Sequence, residues 1–297
     1  AFGRPEQGTA SPSVYTIYPL YDSLTQVSPE GDVSGSLATA WKNIDPLIWE
    51  VSLRRGVKYH NARELTARQV VDQFTYLTTN DEAKGTVAYS TNQRQAFVGK
   101  VERVDDHTVR ITTTRPNPEL ARQLAGFWIP ETQRRDEIGT EDFARNPVGT
   151  GPYMNPTFNG GTDGSIDFVA FEGAMRKPKV RRLRTIALGE AASRVSGILS
   201  NELDIALGIP FDAIGRIESA GHKVDIAARP SVWGWRFMSV REGSPFNDKR
   251  VRQAANYAID RESIARDLLG GTTVPGGQCA TRFTFGYNPD VKPYPYD

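Results

Sequence analysis

Apolar and polar residues alternate from residue 49 to residue 53, and this pattern predicts a half-buried β-strand. Trp49, Val51 and Leu53 fall on one face, with polar residues between them, and Gly56 ends the alternation. We therefore expect Trp49 to belong to the hydrophobic core.

The next segment changes to a helical period between residues 65 and 79. Thr66 and Gln69 have the spacing of a capping box, in which side chains satisfy the free backbone groups of the first helical turn. The apolar side chains that would face the core are Val70, Val71, Phe74 and Leu77. The pattern predicts an amphipathic helix that begins close to Thr66.

Turn-forming residues divide the following part of the chain. Residues 100–114 predict two short strands joined at Asp105 and Asp106, and a Leu- and Ala-rich helix follows from Pro118 to about Gly126. The segment NPVGTGPYM, at residues 146–154, then concentrates Asn, Pro and Gly. We interpret it as the point where the chain crosses between structural units.

Helix and strand patterns alternate again after this crossing. The stretch EAASRVSGILSNELDIAL predicts a helix that would bury Val195, Ile198 and Leu199. Asn201 stands where a residue in the left-handed conformation ends a helix, and Asn tolerates that conformation. A strand is predicted next, at Asp204–Leu207.

The last part of the sequence predicts one strand and two helices. Residues 231–240 alternate, with Trp233, Trp235 and Phe237 on one face. Asp248 and Asp260 have the positions of N-caps for the two helices that follow them.

Composition and charge are those of an ordinary globular protein with room for two domains. The chain has 297 residues, of which 38% are hydrophobic and 24% are charged, and its net charge is +1. This balance gives no electrostatic reason to expect a nucleic-acid partner. The basic run at residues 175–185 is interpreted as a solvated loop that leads into a strand, in preference to a phosphate site. No apolar stretch reaches the roughly 20 residues that cross a bilayer.

Residues that could perform chemistry are scattered. The chain has three histidines, His60, His107 and His222, and none has a Cys, Asp or Glu at the spacing of a metal site. Cys279 is the single cysteine. The sequence holds no nucleophile elbow, phosphate-binding loop or zinc-protease motif, and GTGPY is interpreted as a turn. Asp22 is a better candidate for a structural cap than for a catalytic group. We predict no catalytic residue, no metal site and no cofactor, so that an enzyme is the weaker interpretation.

Aromatic side chains, by contrast, are numerous enough to line a binding cleft. They cover a large ligand area at small entropic cost and stack on planar or cationic groups. Most should pack in the core; the candidates are Tyr15, Tyr18, Tyr21, Phe97, Phe127, Trp128, Trp233 and Trp235. Arg94 follows a polar loop, where it is either solvated or a bidentate clamp for a carboxylate.

Several stretches, in order along the chain, resemble the family 5 extracellular solute-binding proteins, the peptide- and nickel-type receptors of ABC importers. Two blocks are specific in combination, RRGVKYHN with LTARQVV and FNDKRVRQAANYAIDRE. Other similar stretches are LYDSLTQVSPEGDVSGSLATAWK, NPVGTGPY, ILSNELDIAL and GYNPDVKPYPYD. The resemblance extends from about residue 20 to the last residue.

The resemblance implies an α/β periplasmic-binding-protein-like fold of type II, cluster C, with two lobes that close over a solute. The resemblance also implies a division of the chain into four segments. Lobe I would consist of residues 1–36 and 147–240, an inserted domain of residues 37–146, and the start of lobe II of residues 241–297. The resemblance further implies a monomer in the periplasm, or on the outer face of the cytoplasmic membrane, that delivers oligopeptides or peptide-like solutes to an ABC permease.

Ligand contacts follow from the resemblance only where the motifs match. They come from the loop before LYD, the segment before the hairpin at 100–114, the GFWIPE loop and the strand near the interlobe hinge. The side chains implied are Val14, Tyr18, Arg94, Phe97, Trp128, Trp233 and Trp235. With the resemblance, the clamp becomes the favoured interpretation of Arg94.

Two departures from the family pattern limit what is implied. The first departure is AFGRPEQGTA, which lacks the apolar first strand of the family. The second is length, because family members continue well past residue 297. We therefore expect an incomplete second lobe that is truncated at residues 285–297. The solute stays open among peptides, opines, glutathione-like peptides, oligosaccharides and nickel chelates. A sensory domain of the same fold that regulates transcription or signalling is the alternative function.

Overall fold

The computed structural model describes residues 15–79, 97–159, 164–227, 231–284 and 286–297. The chain divides into two compact units. Unit 1 comprises residues 1–28 and 32–187, and unit 2 comprises residues 29–31 and 188–297. The four-segment division implied by the family resemblance stays a prediction.

The described part of unit 1 contains three antiparallel sheets. A two-stranded sheet pairs β1 (Thr25–Val27) with β2 (Val33–Gly35). A four-stranded sheet has the spatial order β3 (Ala38–Asp45), β4 (Ile48–Leu53), β6 (Thr108–Thr113), β5 (Val98–Asp105). A three-stranded sheet has the order β7 (Tyr153–Phe158), β8 (Ile166–Ala170), β9 (Arg182–Thr185).

The helices in the described part of unit 1 lie between these strands in the sequence. They are α1 (Ala67–Thr79), α2 (Leu120–Gln123) with the 3-10 turn Leu124–Gly126, α3 (Thr132–Ile138) and α4 (Thr140–Arg145). The start of α1 confirms the predicted cap, because the backbone N–H and the hydroxyl of Thr66 both donate to Gln69 Oε1, at 2.9 and 2.8 Å.

The residues described in unit 1 form two hydrophobic clusters. The first lies between the four-stranded sheet and α1 and includes Val51, Ile111 and Phe74; Phe127 stacks on Phe74 with 3.8 Å between ring centroids. Trp49 packs against this cluster while remaining partly exposed. The second cluster is smaller and consists of Ile17, Leu20, Tyr21, Trp128, Ile166 and Phe168.

Most local expectations for unit 1 are confirmed, with one shift of register. Gly56 has φ of +72°, which explains why the strand ends before it. The basic run leads into β9 as predicted. The hairpin turn lies at Asp106 and His107, one residue later than expected, because the His107 N–H donates to the Asp105 side chain and closes the turn there.

Unit 2 is mainly helical in its described part. Its helices are α5 (Ala191–Leu199), α6 (Ile214–Ser219) after the 3-10 turn Phe211–Ala213, α7 (Lys249–Tyr257) after the 3-10 turn Pro245–Asn247, and α8 (Arg261–Ser263), which continues as a π-turn, Ile264–Leu268. Asp248 and Asp260 are N-caps, since their carboxylates accept from Arg250 N and Ser263 N. Asn201 has φ of +60°, as predicted.

Two predicted strands in unit 2 are wrong. Residues 204–207 and 231–240 contain no strand, and Ile205 and Trp233 are 80% and 95% exposed. An alternating segment becomes a strand only where another backbone supplies the ladder of hydrogen bonds. Among the described residues no strand pairs with either segment. The two tryptophans therefore lie on irregular backbone.

Candidate functional site

A single turn at the start of the described chain carries Tyr18, one of the predicted ligand contacts. The backbone N–H groups of Leu20 and Tyr21 both donate to Ile17 O, at 2.9 and 3.0 Å. The side chains of these three residues are buried in the second hydrophobic cluster, whereas the Tyr18 side chain is left half-exposed. The turn is thus anchored by its apolar residues and presents Tyr18 to solvent.

The structure brings together two of the predicted contacts, Tyr18 and Trp128. Their ring centroids are 4.7 Å apart at an interplanar angle of 78°, an edge-to-face pair. Trp128 is held by an isolated antiparallel bridge to Ser23 and is only 9% exposed, whereas Tyr18 is 49% exposed. The pair therefore offers an outer aromatic ring that a nearly buried ring supports.

A buried carboxylate lies next to this turn. The side chain of Asp22 is 1% exposed; it accepts a hydrogen bond from Thr150 Oγ1 at 2.8 Å and pairs with the guanidinium of Arg176, which is 38% exposed. The predicted structural role of Asp22 holds, but the carboxylate joins distant parts of the chain instead of capping a helix. With both oxygens occupied by donors, it is well suited to fixing the backbone.

The GTGPY segment runs alongside the turn at very short range. The N–H groups of Gly151 and Tyr153 donate to Leu20 O and Pro19 O, at 2.9 and 3.0 Å. A Cβ on Gly149 would lie 2.0 Å from Leu20 O, and one on Gly151 would lie 2.3 Å from Pro19 O. The sequence interpretation of GTGPY as a turn misses this reason for its two glycines, which is close backbone approach.

His60 fastens the same segment from the other side. Its Nδ1 accepts from Gly149 N at 3.2 Å, and its Nε2 lies 3.0 Å from Gly151 O, so a neutral ring protonated on Nε2 satisfies both contacts. Burial lowers the pKa of His60 to about 4. The ring also meets Phe171 edge-to-face at 5.1 Å. His60 therefore has a structural role.

Another strongly shifted group in this unit also has a structural partner. Burial raises the pKa of Tyr59 well above its usual value, with the Glu131 carboxylate adding to the effect. The Tyr59 hydroxyl donates to Pro130 O at 3.2 Å. In the described residues, no group of three or more His, Cys, Asp or Glu side chains could hold a metal ion.

Of the other predicted contacts, the structure describes Phe97, Trp233 and Trp235. Phe97 precedes β5, and its ring lies under the Arg115 guanidinium at 4.1 Å. Trp233 and Trp235 belong to unit 2 and are 95% and 82% exposed. Val14 and Arg94 lie outside the described residues.

Sequence reasoning missed the residues that hold the turn in place. Arg176 lies in the run interpreted as a solvated loop, and Thr150 lies in the segment interpreted only as a turn. A short-range signal existed for the glycines, since Gly149 and Gly151 flank a single residue. No local pattern distinguishes Arg176 from its basic neighbours.

A solved structure shares the fold of this chain. A periplasmic binding protein of Helicobacter pylori, associated with an ABC transporter and solved in complex with the peptide STSA, matches with a TM-score of 0.79 at 22% identity. The match covers 99% of this chain and 61% of that one. At this identity the likeness concerns the fold, and it confirms the predicted α/β fold of the periplasmic-binding-protein type.

Curated relatives match at the level of sequence. The dipeptide-binding protein of Escherichia coli (strain K12) is 28% identical over 302 residues, which cover 94% of this chain and 56% of the relative. The heme-binding protein A of Haemophilus influenzae is 27% identical over 286 residues, which cover 90% of this chain and 52% of the relative. The chain thus spans about half the length of these relatives.

The sequence profile described as "Bacterial extracellular solute-binding proteins, family 5 Middle" matches residues 32–297. The chain belongs to this family, as its motifs predicted. Members of the family are substrate-binding transport proteins. Among the described helices, none combines the length and the apolar composition needed to span a bilayer.

Proposed function

We propose that this protein is the extracytoplasmic substrate-binding component of an ABC importer. It binds oligopeptides or peptide-like solutes as a monomer, in the periplasm or at the outer face of the cytoplasmic membrane, and delivers them to a membrane permease. Its family membership, a dipeptide-binding relative and a fold shared with a peptide complex support this proposal. No chemistry on the solute is proposed.

The observation that carries the proposal is the pair formed by Tyr18 and Trp128. A half-exposed tyrosine ring backed by a nearly buried tryptophan is a preformed contact surface that loses little conformational entropy when it meets a ligand. Peptides offer apolar side chains and planar amide groups to such a surface. Phe97, Trp233, Trp235, Val14 and Arg94 stay proposed contacts of the same solute.

The four-segment division is part of this proposal. The first hydrophobic cluster draws mainly on residues 37–146, the proposed inserted domain. The second cluster draws mainly on residues 17–21 and on Ile166 and Phe168, which belong to the two proposed segments of lobe I, with Trp128 as its one member from the proposed inserted domain. Separate clusters for these two groups support a domain inserted into lobe I.

A thermal-unfolding panel on the intact protein tests the substrate class. The ligands are di- to pentapeptides, opines, sugars, nickel chelates and heme. A solute at 100 times its dissociation constant should add about 2.7 kcal/mol to the free energy of unfolding. We expect peptides to raise the midpoint. If a sugar or heme does so and no peptide does, the peptide assignment is wrong.

Site variants test whether the aromatic pair contacts the solute. Tyr18→Ala should weaken the binding of an active peptide by about tenfold, because a loss of about 1.4 kcal/mol of contact free energy has that effect. Tyr18→Phe should retain most of the affinity. Tyr296→Ala is the matched control, since Tyr296 is an exposed tyrosine outside the proposed contacts. Equal affinities for Tyr18→Ala and the control would exclude Tyr18 from the site.

A further inference from the structure

We infer that Arg176 is a positioning residue that holds the Tyr18–Trp128 pair in its geometry. The inference rests on the proposed function in so far as this pair contacts the solute. Arg176 lies 158 residues from Tyr18 in sequence, and yet its Nη2 donates to the backbone oxygens of Tyr18 and Tyr21, at 2.8 and 3.1 Å. Its Nε donates to Asp22 Oδ1. One side chain thus reaches three points of the segment that carries Tyr18.

The backbone carbonyls of residues 17–22 are all engaged in hydrogen bonds. Every carbonyl from Ile17 to Asp22 accepts a hydrogen bond, and Arg176 donates to two of these six acceptors. The remaining donors are the N–H groups of Leu20, Tyr21, Tyr153, Gly151 and Ile129. Arg176 therefore provides the side-chain donors to these carbonyls, and the other donors are backbone N–H groups. Loss of the Arg176 side chain would remove the donor to the carbonyl of Tyr18 itself.

The guanidinium of Arg176 is held in position by the Asp22 carboxylate, which is almost completely buried. The Asp22 side chain is 1% exposed, and Thr150 Oγ1 occupies its other oxygen at 2.8 Å. A planar guanidinium held by this carboxylate can direct the two N–H bonds of Nη2 at the two carbonyls. A lysine ammonium keeps the charge but lacks the rigid fork, so Arg176→Lys separates the geometric contribution from the electrostatic one.

The orientation of Tyr18 depends on this backbone more than on packing. The neighbouring side chains of Ile17, Leu20 and Tyr21 are buried, but the Tyr18 side chain is 49% exposed and its ring contact is with Trp128. If the turn relaxes, the buried neighbours can keep it folded while the tyrosine ring leaves Trp128. Loss of Arg176 should consequently change the pair before it unfolds unit 1.

Fluorine NMR of the intact protein labelled with 5-fluorotryptophan can report this change. Trp128→Phe assigns the resonance of residue 128, and Tyr18→Leu gives its position without the tyrosine ring. We expect Arg176→Lys to move the resonance toward the Tyr18→Leu position. Arg184→Lys is the matched control, because Arg184 makes a two-bond contact with Asp167 between β8 and β9, and it should leave the resonance unchanged.

Binding of trialanine is measured on the same variants by calorimetry. Arg176→Lys should weaken it about tenfold and Arg184→Lys should not. A wild-type protein that ignores trialanine and the rest of the peptide panel argues against the proposed function, whereas the fluorine resonance still decides the role of Arg176. A Trp128 resonance that stays at its wild-type position in a folded Arg176→Lys protein overturns the inference, whatever the affinity.

A second variant covers the case in which Arg176→Lys does not fold. Replacing Asp22 by Asn together with Arg176→Gln removes both charges, so that no unpaired charge is left buried. This double variant should fold and should also shift the Trp128 resonance. The wild-type resonance in the double variant would likewise overturn the inference.

Discussion

Lowering the pH from 7 to 5 should destabilise unit 1 through one imidazole, that of His60. The neutral ring accepts from Gly149 N and lies 3.0 Å from Gly151 O, so its two nitrogens are both committed to the GTGPY segment. A second proton would remove the acceptor for Gly149 N and place a charge in a half-buried site. Burial accordingly lowers the pKa of His60 from 6.5 to about 4.

The sign and size of the effect follow from proton binding. Between pH 6.5 and pH 4 the unfolded chain holds a proton on residue 60 that the folded chain does not hold, so falling pH favours the unfolded state. Below pH 4 the full effect is about 3 kcal/mol. About 2 kcal/mol of this develops between pH 7 and pH 5. Above about pH 7.5 the ring is almost wholly neutral in both states and contributes almost no pH dependence.

Urea unfolding of the wild type and of His60→Gln at pH 8, 7, 6 and 5 isolates this term. Glutamine can donate and accept but does not ionise, so the other titrating groups act equally on both proteins. The wild type should lose about 2 kcal/mol more than the variant between pH 7 and pH 5. Between pH 8 and pH 7 the two proteins should change in parallel, which serves as the internal control.

Two results would refute the reasoning. Equal losses in wild type and His60→Gln would mean that the ring is not held neutral by the fold. An NMR titration of the His60 ring with a midpoint near 6.5, in place of about 4, would show the same directly.

Two backbone predictions need only unfolding measurements. Gly149→Ala would place Cβ 2.0 Å from Leu20 O, so we expect urea unfolding to show a loss of about 3 kcal/mol in the free energy of unfolding. The control is Gly215→Ala, where nothing lies within 4 Å of the new Cβ, and it should stay within about 1 kcal/mol of wild type. Similar losses at both glycines would contradict the close approach. At Asn201, where φ is +60°, thermal unfolding should show a cost of about 1 kcal/mol for Ala and none for Gly, and equal midpoints would contradict the strain argument.

Local signals in the sequence predicted the elements that depend on local contacts. The cap of α1 at Thr66 and Gln69 and the N-caps Asp248 and Asp260 all occur as expected. A cap joins residues within one helical turn, so the sequence within that turn contains the whole interaction. The same reason explains the left-handed residue at Asn201.

Strands were harder to predict because a strand is completed by a distant partner. Residues 231–240 alternate as clearly as residues 49–53, but only the latter lie between two neighbours, β3 and β6, in a sheet. Alternation indicates that one face of the segment is suited to burial. It does not indicate whether a neighbouring strand is present to form the backbone hydrogen bonds of a sheet. Trp49 consequently packs on a core, and Trp233 is 95% exposed.

The candidate site shows the same division between local and distant information. Sequence and family resemblance selected Tyr18 and Trp128, which the structure places in contact, but the charge pattern of the basic run around Arg176 indicated only a solvated loop. Arg182 and Arg176 are both arginines of that run, and the sequence does not show which of them has a carboxylate partner. Asp22, 154 residues earlier, selects Arg176 because an almost fully buried carboxylate requires a partner with several directed donors. An arginine that looks solvated in sequence can thus set the geometry of an aromatic contact, and only the tertiary position of its carboxylate identifies it.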